Sequence, residues 1–252
     1  MAKKVKKKLN KKGLIVVILT LYLFIMAFYY CFNLPVKNIE IKGNTLISDE
    51  KIINVAGVTD KTKLFSLSSK ETKKKLEELP MIDHVKITKH LNGKIVVEVT
   101  ELSVLYYSVL DGNYVFEKGK KTNNLDISFG IPTLVNYVPS DIESTLIKKL
   151  DNINKDILYK VSEIEYSPDI KDEKLIDNNR FLLRMNDGNY VYINLANINN
   201  LNKYEEIYAT LDENEKGVLN LDSSSSNGIV FQPFDLLKKK EEMQNELPEW
   251  IR

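Results

Sequence analysis

The sequence predicts an α+β protein with a single N-terminal transmembrane helix followed by two domains outside the cytoplasm. Three observations support this: a lysine-rich start before a long apolar run, a β-α-α-β-β pattern directly after it, and a later region with repeated hairpin signals. We expect a basic cytoplasmic tail at 1–13, a transmembrane helix at 14–34, a first domain at 35–102, a larger β-rich α+β domain at 103–232 and a C-terminal tail at 233–252.

The first predicted element is the membrane-spanning helix. The first twelve residues contain seven lysines and no acidic residue, and the apolar run from Leu14 to Phe32 is interrupted only by Thr20. At about 1.5 Å per residue a helix of that length spans roughly 28 Å, close to the roughly 30 Å of bilayer hydrocarbon. Because lysine clusters stay on the cytoplasmic side, everything after Pro35 is expected to lie outside the cytoplasm.

A cleaved signal peptide is the alternative to an anchor, since it has the same basic start and apolar middle. The anchor is favoured because the run exceeds the usual signal-peptide length of roughly 7–15 apolar residues and no small-x-small site follows Ala27. Cys31 is the only cysteine, so the outer part is expected to contain no internal disulfide. Tyr30 occupies the position where a lipoprotein would need a small residue.

The charge differs between the two sides of the membrane, although the whole chain has a net charge of +1. The first twelve residues hold seven of the 36 basic residues and none of the 35 acidic ones, so the remainder has 29 basic and 35 acidic residues. A net acidic outer part argues against nucleic-acid binding. The basic tip is expected to set topology and contact anionic headgroups.

The first domain begins with a predicted strand and a short helix. Residues 36–42 alternate apolar and polar side chains and stop at Gly43, as a half-buried strand should. Ser48 is positioned to cap a helix that Gly57 ends.

A second helix and a hairpin complete that domain. Ser68 and Glu71 form a capping box, and the helix is expected to end by Pro80. Strands are predicted at 82–88 and 94–100, joined by a type I′ turn at Asn92-Gly93. The predicted order is therefore β-α-α-β-β.

This cassette resembles the polypeptide-transport-associated (POTRA) domain of the FtsQ/DivIB family of bacterial division proteins. The residues that carry the resemblance are Ile39-Glu40-Ile41-Lys42-Gly43-Asn44, Leu79-Pro80-Met81-Ile82-Asp83-His84-Val85-Lys86-Ile87 and Ile95-Val96-Val97-Glu98-Val99-Thr100-Glu101. Members of that family have a short basic tail, one transmembrane helix, this domain, a second β-rich domain and a variable tail. The present chain is similar along nearly all its length.

The second domain is predicted from two hairpins, two helices and two late strands. The hairpins turn at Asp111-Gly112-Asn113 and Asp187-Gly188-Asn189, whose near-identical surroundings reflect either shared turn chemistry or an internal duplication. Ser140 and Glu143 form a predicted capping box before an apolar stripe that extends to Ile157. Further predictions are a helix at 201–211 and strands at 217–221 and 229–232.

This region also resembles the second domain of the family, through Gly188, Lys203 and the segment 217–222, where Asn220 replaces the usual Asp. The resemblance implies that the terminal strands offer an edge to a small single-pass partner, which adds a strand. The candidate partner-binding residues are Leu219, Leu221, Ile229, Val230 and Phe231. The alternative for each of them is an ordinary core position.

The sequence offers no convincing catalytic constellation. His84 and His90 are the only histidines, and six residues along one strand would separate them by roughly 20 Å. No Gly-x-Ser-x-Gly, His-Glu-x-x-His or phosphate-binding glycine loop is present. We therefore expect no enzyme, no cofactor and no metal site.

The resemblance implies a non-catalytic membrane scaffold of the divisome, located at the division septum, that helps control septal peptidoglycan synthesis. The partners it implies are DivIC/FtsB-like and FtsL-like single-pass proteins, with the septal peptidoglycan synthase as a further candidate. A membrane-tethered cell-wall enzyme and a POTRA-type chaperone for exported chains are the alternatives. The charged stretch 232–252 is expected to be a flexible tail, with a short amphipathic docking element as the alternative.

Overall fold

The computed structural model describes residues 10–59, 61–125, 130–211, 215–222 and 230–246. The chain forms two compact units, Met1–Glu101 and Leu102–Arg252.

The N-terminal helix α1 (Lys11–Phe32) is long and apolar enough to cross a membrane, and within the described residues no other helix passes that test. Its 22 residues extend about 33 Å. Thr20 satisfies its hydroxyl inside the helix by donating to the carbonyl oxygens of Val17 and Val16, at 2.9 and 3.0 Å. The Thr20 hydroxyl therefore needs no partner outside the helix.

The first unit then has the predicted β-α-α-β-β order. Its elements are β1 (Asn38–Lys42), α2 (Asp49–Ala56), α3 (Ser69–Glu77), β2 (Ile82–Lys89) and β3 (Lys94–Glu101). The sheet order is β1-β3-β2, in which β1 runs parallel and β2 antiparallel to β3. Both helices begin as expected, because Ser48 accepts from the N–H of Lys51 and Ser68 accepts from the N–H of Glu71.

A carboxylate at the end of β3 fixes the connection between β1 and α2. Glu101 accepts from the backbone N–H groups of Thr45 and Leu46, both at 2.8 Å, and of Ile47 at 3.0 Å. Gly43 precedes this corner with φ +83°, and a Cβ there would lie 2.2 Å from the carbonyl oxygen of Val99. A glycine is thus required where β1 ends.

The turn between β2 and β3 differs from the type I′ prediction. His90 and Lys94 close the hairpin, since the N–H of His90 donates to the carbonyl oxygen of Lys94 at 2.8 Å. Gly93 has φ +87°, whereas Asn92 has no positive φ. The loop therefore has three residues with the glycine in the left-handed region, which is the next commonest hairpin geometry.

The second unit is built around one mixed sheet. Its strands are β4 (Val104–Ser108), β5 (Asn113–Phe116), β6 (Lys121–Thr122), β7 (Thr133–Leu134), β8 (Val161–Tyr166), β9 (Asp169–Lys171), β10 (Lys174–Asp177), β11 (Arg180–Met185), β12 (Tyr190–Asn194), β13 (Gly217–Asn220) and β14 (Val230–Pro233). Nine strands of the described residues form the order β14-β13-β12-β11-β8-β7-β4-β5-β6, while β9 and β10 form a separate hairpin.

Helices cover one face of this sheet. They are α4 (Ser140–Leu150), α5 (Lys155–Leu158), the 3-10 helix Ile198–Lys203 and α6 (Tyr204–Tyr208). Helix α7 (Phe234–Glu246) follows β14 and is not part of this layer. Ile142, Leu146 and Leu150 of α4 join the same buried cluster as Phe181 and Leu183 of β11. This cluster is the core of the second unit, and it also includes Leu219 of β13.

Two predictions for the second unit are wrong. Ser140 is the first residue of α4 and not its cap, because the helix begins one residue earlier with Pro139 at the N-cap position. Glu143, assigned to the same capping box, instead accepts from the hydroxyl of Tyr106 at 2.9 Å. The expected flexible tail is helical over Phe234–Glu246, whereas residues 247–252 lie outside the described part of the chain.

Candidate partner-binding edge

Strand β14 lies at one end of the nine-stranded order. It pairs antiparallel with β13, in a register that places Leu219 opposite Phe231 and Asn220 opposite Val230. Strand β13 in turn pairs parallel with β12. In the described part of the chain, the second side of β14 has no strand partner, so this is an open edge.

The ladder register shows which backbone groups face the open side. Phe234 donates its N–H to the carbonyl oxygen of Lys216 at 2.9 Å, which makes these two a hydrogen-bonded pair. Such pairs alternate along an antiparallel ladder, so Gln232 bonds inward to Val218. The N–H and C=O of Phe231 therefore point away from β13, toward the open edge.

A glycine in β13 allows β14 to lie this close. A Cβ at position 217 would lie 2.3 Å from the carbonyl oxygen of Gln232 and 2.8 Å from the Cζ of Phe231. Both distances are shorter than real Cβ contacts. Gly217 thus marks the point where β14 and its phenyl ring pack directly on the β13 backbone.

Strand β13 is held in place by a buried polar network. Asn189 accepts from the N–H of Gly217 at 3.0 Å and donates from Nδ2 to the hydroxyl oxygen of Tyr204 at 3.1 Å. The Tyr204 hydroxyl donates to Asp187 Oδ2 at 2.7 Å. This network joins the β11–β12 turn, α6 and the start of β13. Burial and the hydrogen bond to Asp187 raise the pKa of the Tyr204 phenol above its ordinary value.

The five candidate residues fall into three groups. Leu219 and Leu221 are each only 2% exposed and belong to the core, which corrects their assignment to the partner surface. Phe231 packs partly on the same core, while Val230 is 37% exposed on the opposite face. Ile229 lies outside the described residues. The structure therefore leaves Val230 and the backbone of Phe231 as the accessible candidates.

The outer face beside this edge carries residues that the sequence reasoning did not include. Because side chains alternate along a strand, Val230 shares its face with Asn220 and with Tyr192, which lies opposite Asn220. Phe234, just after β14, contacts the ring of Tyr190 with centroids 5.1 Å apart. Alternation counted outward from Leu219 was the signal that could have identified these positions.

Charged side chains on this face are paired with one another. Arg180 Nε donates to Asp222 Oδ2 at 2.7 Å, and its guanidinium lies 3.6 Å from the ring centroid of Tyr192. Arg184 pairs with Glu163 and with Glu165, which raises the pKa of its guanidinium above the ordinary value, chiefly through the hydrogen bond to Glu163. A partner at β14 would meet paired charges and half-buried aromatic rings.

The described residues contain no group of three or more His, Cys, Asp or Glu side chains able to hold a metal ion. His84 Nδ1 instead lies 3.2 Å from Glu77 Oε1 on the surface of the first unit.

The chain is similar to known bacterial cell division proteins. Residues 34–101 match the model of the FtsQ-type POTRA domain. The chain is 28% identical to cell division protein DivIB of Bacillus subtilis (strain 168) and, equally, to that of Geobacillus kaustophilus (strain HTA426). Each alignment covers 94% of this chain and 90% of the relative. Residues 34–101 are therefore an FtsQ-type POTRA domain, and the chain is similar to DivIB cell division proteins over nearly its whole length.

A solved structure of the major extracytoplasmic domain of DivIB from Geobacillus stearothermophilus also matches. It shares 24% identity and a TM-score of 0.33, over 46% of this chain and 99% of that domain. The POTRA match covers the first unit after the candidate anchor α1, and the β-rich second unit follows it in the chain.

Proposed function

We propose that this DivIB-like chain is a non-catalytic scaffold of the division machinery that captures a small single-pass partner at the β14 edge. The observation that carries the proposal is an open strand edge supported by a buried core, with the N–H and C=O of Phe231 directed outward. An unpaired strand edge is a template for strand addition.

Strand addition would give the partner affinity through main-chain hydrogen bonds and selectivity through alternate side chains. On one face an added strand would lie beside Val230, and on the other beside Phe231, which packs on the core. A partner strand with apolar side chains on both faces fits this edge. In the family context the partner is a DivIC/FtsB-like protein, with an FtsL-like protein joining it.

We further propose that α1 spans the cell membrane with the lysine-rich end in the cytoplasm and both units outside. The seven lysines of the first twelve residues support this orientation. The domain limits predicted above and a location at the division septum belong to the same proposal, as does a contact with the septal peptidoglycan synthase.

The edge is tested by the matched variants Phe231→Ala and Phe231→Pro. Both remove the ring from the core, and only proline also removes the outward N–H. Since position 231 forms no hydrogen-bonded pair with β13, the two should differ little in stability. Loss of one hydrogen bond of about 0.5–1.5 kcal/mol predicts roughly a two- to tenfold weaker affinity for proline than for alanine.

Affinity is measured between the full chain in nanodiscs and the extracytoplasmic part of a DivIC-like protein. Gln232→Pro is the control for an effect of proline on folding. The N–H of Gln232 faces β13, so its removal should destabilise the sheet. Equal affinity of the alanine and proline variants would exclude the β14 edge. Imaging of the wild-type chain then tests the division role, since a uniform membrane distribution without a DivIC-like partner would contradict it.

A further inference from the structure

Two loops of the first unit hold the segment that leaves α1. In the loop that follows α2, Leu64 donates its N–H to the carbonyl oxygen of Leu34 at 2.8 Å. Val36 donates to the carbonyl oxygen of Thr62 at 3.0 Å. The segment that follows α1 is therefore hydrogen-bonded to the backbone of the folded domain.

The β2–β3 turn provides the second contact. Lys37 donates its N–H to the carbonyl oxygen of Gly93 at 2.8 Å. A Cβ at Gly93 would lie 2.8 Å from the carbonyl oxygen of Pro35, which shows how closely the turn packs on the exit segment. Pro35 follows Phe32, the last residue of α1, by three positions. Both loops consequently lie next to the end of the transmembrane helix.

Each loop exposes a large apolar side chain at this place. Phe65 is 41% exposed, and its ring centroid lies 6.3 Å from that of Phe32. Leu91 is 72% exposed at the tip of the β2–β3 turn, two residues before Gly93. Single exposed apolar residues need no explanation, but two beside a helix exit form an apolar pair at the level where the bilayer ends.

Basic residues accompany this apolar pair. Lys37, Lys61 and Lys63 are exposed, and Lys63 Nζ donates to the Asn33 side-chain oxygen at 2.6 Å, just after the last turn of α1. In the segments 33–37, 59–65 and 90–93 the sequence contains a single acidic residue, Asp60. The loops next to the helix exit are therefore net positive.

We propose that these loops form a lipid-binding base of the first unit. Phe65 and Leu91 enter the interfacial layer of the bilayer that α1 crosses, and Lys37, Lys61 and Lys63 bind the phosphates of anionic lipids. Apolar side chains at the acyl boundary, combined with cations at headgroup level, are the pattern of interfacial membrane binding. The long lysine side chains can reach the headgroups while their backbone stays in the folded domain.

In this proposal the first unit contacts the bilayer surface next to α1, and is not held to the membrane by α1 alone. It rests on the part of the proposed function in which α1 spans a membrane, and it does not depend on the β14 edge or on a division role. Its failure would leave the proposed partner binding at β14 untouched.

The test uses tryptophan reporters in the full chain. Phe65→Trp and Leu91→Trp are made separately in a Trp250→Phe background, since Trp250 is the only tryptophan. Lys42→Trp is the matched control, because Lys42 is exposed in the same unit and lies four residues, about 13 Å, along β1 from Asn38. Each variant is reconstituted alone, without any partner protein, into nanodiscs whose lipids carry brominated acyl chains.

We expect bromine quenching of both reporters and a blue-shifted emission, with neither effect at Lys42→Trp. Quenching of either reporter no greater than that of the control would overturn the proposal.

Adding Lys61→Glu and Lys63→Glu to the Phe65→Trp variant should reduce quenching in phosphatidylglycerol more than in phosphatidylcholine. Equal quenching in the two lipids, with and without the charge reversal, would overturn the role of the lysines. Unchanged thermal unfolding of each variant confirms that the unit is folded.

Discussion

Replacement of Gly217 by alanine should detach β14 from the sheet. The added Cβ would lie 2.3 Å from the carbonyl oxygen of Gln232, a backbone atom that cannot rotate away, and 2.8 Å from the ring of Phe231. Gly217 has no positive φ, so alanine meets no backbone strain of its own. The variant therefore measures the strand contact alone.

The size of the effect follows from the geometry. Restoring an ordinary contact requires β14 to move by about 1 Å, and overpacking of this kind costs about 1–3 kcal/mol. The four residue pairs that join β13 to β14 would be weakened together, and Phe231 would lose part of its packing on the core. Strand β12 should be affected less, because β13 stays bonded to Asn189 through the N–H of residue 217.

Hydrogen exchange followed by mass spectrometry provides the assay. Peptides that cover 230–233 should exchange faster in Gly217→Ala, while peptides that cover 190–194 keep their protection. Gly130→Ala is the matched control, since a Cβ there meets nothing within 4 Å and requires no positive φ. Equal exchange of β14 in the two alanine variants would show that Gly217 is not needed for β14 to pair with β13.

Two further predictions concern the polar contacts of each unit. Tyr204→Phe should lower the free energy of unfolding by about 1–3 kcal/mol because Asn189 loses its buried partner, and urea denaturation measures this. The raised pKa of Tyr204 means that the protonated phenol favours the folded state, so its contribution is complete below its unfolded pKa of about 10 and is lost as pH rises beyond it. Stability should thus fall less steeply above that pH in Tyr204→Phe than in the wild type; identical slopes would contradict this. Glu101→Gln should destabilise the first unit by about 1.5–3 kcal/mol, because the carboxylate accepts from three consecutive N–H groups. Glu98→Gln on the exposed surface, whose carboxylate pairs with Lys86, is the control and should change the urea midpoint little; equal effects would argue against the Glu101 corner.

The first unit was largely predictable because its signals are local. The caps at Ser48 and Ser68 and the alternation in β2 and β3 each act within a few residues, and the structure contains all of them. The type of the turn at Asn92-Gly93 was not predictable, because turn type depends on where the strands stop pairing. Here pairing ends at His90 and Lys94, which leaves three loop residues.

Strand β8 shows why more of the second unit was missed. Its buried residues Val161 and Ile164 are three positions apart, which does not fit the period of two expected for a strand. The register against β11 shifts between Arg184 and Met185, where a bulge accommodates the irregular spacing. Sequence periodicity cannot reveal a strand whose regularity is broken by its neighbour.

The candidate edge was predictable as a strand, but not in its orientation. The segment 229–232 indicated β14, and Leu219 and Leu221 were candidates for the partner surface or for the core. Only the register, with Leu219 opposite Phe231, shows that this face is the core and that Val230 lies on the other. Which backbone groups are left open depends on that same register, which no local pattern contains.

Amide hydrogen exchange at β14 in the presence of a DivIC-like partner tests whether the partner adds a strand at this edge. If the partner adds a strand to this edge, the amide of Phe231 becomes hydrogen-bonded and its exchange should slow markedly. Gln232, whose amide already faces β13, should change little. If a partner binds the full chain tightly and leaves the exchange of Phe231 unchanged, it does not bind by adding a strand to β14.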